Sequence, residues 1–74
     1  MNVGEIMKNI RKRQGISADV LAEAIGVSRS TIFRYEKGDI EKLPIEIVSR
    51  VAKALNVPLA ELMGISKNSL NENI

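Results

Sequence analysis

The chain begins with apolar residues at Val3, Ile6, Met7 and Ile10, the i, i+3, i+4, i+7 spacing that lays one apolar stripe along a helix. Asn2 followed by Glu5 reads as a capping box and Gly15 as a stop, which predicts a first helix over about residues 3–14. Lys8, Lys12 and Arg13 fall off the stripe and are expected to face water. Next, Ser17 is a good N-cap and Asp19 suits the positive end of the helix dipole. Ala18, Leu21, Ala22 and Ile25 then repeat the helical spacing until Gly26. Gly26-Val27-Ser28 leaves room only for a tight turn, with Gly26 left-handed and Ser28 capping a third helix over about Arg29–Lys37 that Gly38 stops.

After the polar stretch Asp39 to Leu43, Pro44 suits the start of a helix. Ile45, Val48, Ala52 and Leu55, joined by Ile47 and Val51, mark a fourth and strongly apolar helix, the expected centre of the core. Asn56 suits a left-handed stop, and Pro58 opens a short fifth helix carrying Leu59, Leu62 and Met63 before Gly64. From Ser66 to Ile74 the periodicity ends, so residues 1–65 are expected to form the domain and 66–74 a polar tail or the start of a linker. No alternating strand pattern and no internal repeat occur, so the predicted class is all-α with five helices.

Composition narrows what such a domain can do. The 74 residues are 45% hydrophobic and 27% charged, a folded rather than disordered balance with room for one core. One Phe, one Tyr and no Trp leave that core to aliphatic side chains. Cys and His are both absent, which removes disulfides, thiol nucleophiles, histidine bases and ordinary zinc sites; no cofactor or metal is expected. Asp39 with Glu41 is the tightest acidic pair in a loop, too little to suggest an enzyme. No apolar run is long enough to span a bilayer, and Met1-Asn2-Val3-Gly4-Glu5 lacks a secretory pattern, so a cytoplasmic location is expected. The formal charge of +2 is uneven: residues 1–38 hold seven Lys/Arg against four Asp/Glu, residues 39–74 four against five. A basic first half permits contact with a polyanion.

The third helix sharpens that possibility. Ile32 and Tyr35 can face the core, whereas Arg29, Ser30, Phe33 and Lys37 share another face with Arg34 on its edge. Two short helices joined by a glycine-containing turn form the helix-turn-helix, whose second helix enters the DNA major groove. From Ala18 to Lys37 the sequence ADVLAEAIGVSRSTIFRYEK resembles the helix-turn-helix of the phage repressor and Cro family, also called the XRE family. The likeness lies in Ala22, which lets the helices approach, in Gly26 four positions later, and in Ile32 six after that. It extends from about Val3 to Gly64, through Ile16-Ser17, SRSTIFRYEKG and VAKALNVPLAELMG. This resemblance implies a compact five-helix repressor-like domain and a sequence-specific regulator of transcription that binds double-stranded DNA.

The resemblance also implies base-edge contacts from Ser28, Arg29, Ser30, Phe33 and Arg34. Arg29 is the favoured base reader, since a guanidinium can bond O6 and N7 of guanine together; the alternative is a phosphate contact. Phe33 is suited to a thymine methyl, or else to packing over helix 2 or a partner. Phosphate contacts are expected from backbone N–H groups at the helix 2 start, near Ser17 and Ala18, and from Lys37 and Lys42. Ala18 departs from the family, where a glutamine is common at this position. Arg11 and Glu36 occupy positions that form a partly buried ion pair in the family, and are read as scaffold. A homodimer is expected, pairing through Leu59, Leu62 and Met63 and extended by Leu70 and Ile74, with core packing an equal reading of Leu62. The competing function is a protein-binding module of the antitoxin type, with the tail from Ser66 as its contact segment.

Overall fold

A computed structural model describes residues 2–38 and 43–64. Among these residues there are five helices and no strand: α1 (Val3–Arg13), α2 (Ala18–Ile25), α3 (Arg29–Lys37), α4 (Ile45–Leu55) and α5 (Leu59–Leu62). The all-α expectation holds, and the helix ends follow local chemistry. Asn2, Ser17 and Ser28 each accept a hydrogen bond from the backbone amide three residues on, at 2.9, 3.1 and 3.2 Å. At α4 and α5 the capping residue is a proline, whose missing N–H is no loss at a helix start. The Pro44 carbonyl accepts from the amides of Ile47 and Val48.

Two stops decide the path of the chain. Gly26, at φ +77°, takes a left-handed conformation, and the Val27 amide reaches back to the Ala22 carbonyl at 3.0 Å. The turn is thereby closed in three residues. Asn56 adopts the same conformation at φ +58°, which asparagine tolerates better than most side chains, and ends α4.

The core collects the stripes that the periodicity marks. Met7 and Ile10 from α1, Ala18, Leu21, Ala22 and Ile25 from α2, Ile32 and Tyr35 from α3 meet Val48, Val51, Ala52 and Leu55 from α4. Leu62 of α5 joins them and is fully buried. Helix α4 packs against α1, α2 and α5, whereas α3 rests on α1 and α2.

Two contacts escape the sequence pattern. Gly4 is buried where α1 crosses the end of α3, and a Cβ there would run into the Tyr35 carbonyl oxygen. Gln14 Nε2 donates to the Leu55 carbonyl at 2.7 Å, fastening the end of α1 to the end of α4. That carbonyl belongs to the last turn of α4 and has no partner within its own helix.

Candidate nucleic-acid interface

Helix α3 divides cleanly by exposure. Ile32, Tyr35 and Glu36 are buried, and Arg29, Ser30, Phe33, Arg34 and Lys37 are exposed. At roughly 100° of rotation per residue, the exposed five cover an arc of about 140°, and the buried three lie outside it, with Glu36 next to the Arg29 edge. The sequence reading of this helix therefore has its geometry: a basic outer face carrying one aromatic ring, on a helix locked inward by Ile32.

The inner lock includes a charge. Arg11 Nε donates to Glu36 Oε2 at 2.7 Å and its Nη2 to Oε1 at 3.1 Å, while Nη1 donates to the Ile16 carbonyl at 2.9 Å. Both side chains are more than nine-tenths buried. This two-pronged pair ties α1 to α3, and the third bond fixes the turn before α2. The residues read as scaffold are thus brought together inside the fold, away from the exposed arc.

On the outer face, Arg29 lies beside two neighbours that sequence reasoning did not join to it. Its Nε stands 3.7 Å from Asp19 Oδ1, and its guanidinium carbon lies over the Phe33 ring, 5.5 Å from the centroid. The side chains of Arg29 and Asp19 are 64% and 70% exposed, so this contact sits in water. Phe33 remains 38% exposed. The ring thus lies under Arg29, an arrangement the sequence did not suggest, with part of its surface left accessible.

The remaining expected residues are placed less simply. Ser28 is exposed, but its hydroxyl caps α3 and shares a 2.8 Å hydrogen bond with Thr31 Oγ1. Ser17 likewise spends an acceptor on the Val20 amide. Ala18 is only 6% exposed and its side chain belongs to the core, which is compatible with the expected contact through its backbone N–H. Lys37 is exposed. Lys42, the acidic pair Asp39 and Glu41, and the tail 66–74 lie outside the described residues.

The dimer surface needs correction. Leu62 is fully buried in the core and has nothing to offer a partner, while Leu59 is half-buried against the same cluster. Met63, 49% exposed, is left as the accessible apolar residue at that end. Leu70 and Ile74 lie outside the described residues. Among the described residues no helix is long and apolar enough to cross a membrane.

Comparisons with known proteins agree with this geometry. A family model described as helix-turn-helix matches residues 7–62. The transcriptional repressor RstR of the cryptic phage CTXphi, from Vibrio cholerae, is 31% identical over 68 residues, covering 92% of this chain and 60% of its own. A protein of Pyrococcus furiosus whose name describes an HTH-type transcriptional regulatory protein is 33% identical over 69 residues. That match covers 93% of this chain and 22% of the relative, so this chain spans only part of both relatives. Among solved structures, the restriction-modification controller protein C.AhdI from Aeromonas hydrophila superposes with a TM-score of 0.77 at 26% identity, covering 82% of this chain and 91% of that one. The P22 c2 repressor protein, in complex with a synthetic operator, gives a TM-score of 0.74 at 27% identity over 85% and 94% of the two chains.

Proposed function

The chain belongs to the helix-turn-helix family, in its repressor and Cro branch, and from that premise we propose that it is a sequence-specific regulator of transcription that occupies double-stranded DNA. The observation that carries this reading is the outer face of α3. A helix held by its opposite side leaves two arginines, a serine, an aromatic ring and a lysine in water. Such a helix matches a major groove about 12 Å wide, whose floor offers guanine O6 and N7 to a guanidinium fork and the thymine methyl to an apolar group. The relative from Vibrio cholerae is named a repressor, and the P22 protein was solved on an operator.

In this reading Arg29 and Arg34 contact bases, with Ser28, Ser30 and Phe33 beside them. The backbone amides at Ser17 and Ala18, together with Lys37 and Lys42, hold phosphates. The chain acts by occupying its site and performs no chemistry on the DNA. One such helix reads few base pairs, so two copies are expected to pair across a two-fold axis and address half-sites about 34–36 Å apart. Met63 is the exposed apolar residue available at the α5 end for that pairing. Its place of action is the compartment that holds the DNA, expected to be the cytoplasm.

Selection of bound duplexes from a random-sequence pool, followed by affinity measurement at two salt concentrations, tests the reading. A recurrent sequence with a strong salt dependence supports it. Binding with no recurrent sequence would reduce the function to electrostatic attachment, and no binding at all would overturn it.

A further inference from the structure

Asp19 and Arg29 stand near the starts of the two helices that flank the turn, Asp19 second in α2 and Arg29 first in α3. Their contact is long and wet, which makes it a weak contributor to folding. Neither helix needs it to begin, since Ser17 and Ser28 already supply the caps. Its effect falls instead on Arg29. A long arginine side chain in water samples many rotamers, and Asp19 on one side with Phe33 beneath favours the ones that lie between them. The nearest approach of the carboxylate is to Nε, on the side of the guanidinium away from the terminal fork that matches guanine. The same carboxylate also puts a negative charge beside Arg29, which weakens the attraction of this corner for phosphate oxygens.

We propose that Asp19 is a positioning residue for base reading: it holds Arg29, supported by Phe33, toward a guanine edge and keeps it off the phosphate backbone. The proposal rests on the DNA-binding reading above. Arg29 is the group that touches the base; Asp19 acts through it.

The test uses the full chain in four forms: unaltered, Asp19→Asn, Asp19→Glu and Arg29→Ala. Each is measured against three probes: the duplex the unaltered chain selects from a random pool, that duplex with each guanine replaced in turn, and a scrambled duplex. Arg29→Ala is expected to abolish the preference for one guanine, a loss of about tenfold or more. Asp19→Asn is expected to reduce the same preference about three- to fivefold while binding the scrambled duplex about twofold more tightly at low salt. Asp19→Glu restores most of the preference. A merely structural residue would not move guanine preference and scrambled-duplex affinity in opposite directions. Full guanine preference in Asp19→Asn, or an equal loss on every duplex, overturns the role of Asp19 while leaving the DNA-binding reading intact. If the unaltered chain selects no sequence, the reading beneath falls and this role falls with it.

Discussion

Among the described residues two arginine–carboxylate pairs join helices, one dry and one wet. Arg11 and Glu36 meet through two short hydrogen bonds inside the fold, and the remaining arm of Arg11 bonds the Ile16 carbonyl. Arg29 and Asp19 come no nearer than 3.7 Å, in water. The residue types are nearly the same; the solvent around them differs. A buried pair has given up its hydration and must be complete, because a stranded charge has no water to return to. An exposed pair can trade its partner for another at little expense. That difference suits Arg11 to holding α3 in place and leaves Arg29 available for the base-reading role proposed for it.

The contrast can be broken most sharply at Glu36. Glu36→Ala leaves Arg11 buried and half-satisfied, and is expected to lower stability in urea denaturation by about 3–5 kcal/mol. Asp19→Asn should change it by less than about 1 kcal/mol, and equal losses would erase the distinction. Next comes the packing that supports the dry pair. Gly4→Ala drives a methyl into the Tyr35 carbonyl, with an expected cost of about 1–3 kcal/mol by the same measurement. Wild-type stability in Gly4→Ala would show that α1 can move away from α3 freely.

Gln14→Ala removes one hydrogen bond at the end of α4 and should cost about 0.5–1.5 kcal/mol, with faster hydrogen exchange in the last turn of that helix. Unchanged exchange there would mean that water replaces the side chain without loss. The smallest effect is expected at Lys37, on the wet face. Lys37→Ala should leave stability unaltered, weaken all duplexes alike and lower the salt slope by about one unit. An unchanged slope would remove Lys37 from the interface.

What was readable in the sequence was whatever local chemistry decides. Ser17, Ser28, Gly26, Gly38 and Asn56 punctuate the helices because capping and left-handed stops depend on a few adjacent residues. The inward set Leu21, Ala22, Ile25, Ile32 and Tyr35 follows from helical periodicity alone. What was not readable depends on how helices lie on one another. Gly4 looks like an ordinary weak helix former until α1 crosses the Tyr35 carbonyl. Gln14 looks like a polar end residue until Leu55 arrives from a distant helix. Asp19 reads as a helix-dipole residue, and only the angle of the turn brings it to Arg29. Leu62 fits the core and a partner equally well by pattern, and the packing of α5 on α4 and α1 settles it as core.

The central claim is that the outer face of α3 lies in a major groove with Arg29 at a guanine. Guanine N7 lines that groove, so methylating it and asking which guanines then block binding tests the claim directly. On the duplex selected by the unaltered chain, N7 methylation is expected to block binding at one guanine per half-site. In Arg29→Ala that block should vanish while any others remain. Binding indifferent to N7 methylation at every guanine, or a block that persists unchanged in Arg29→Ala, would contradict the account.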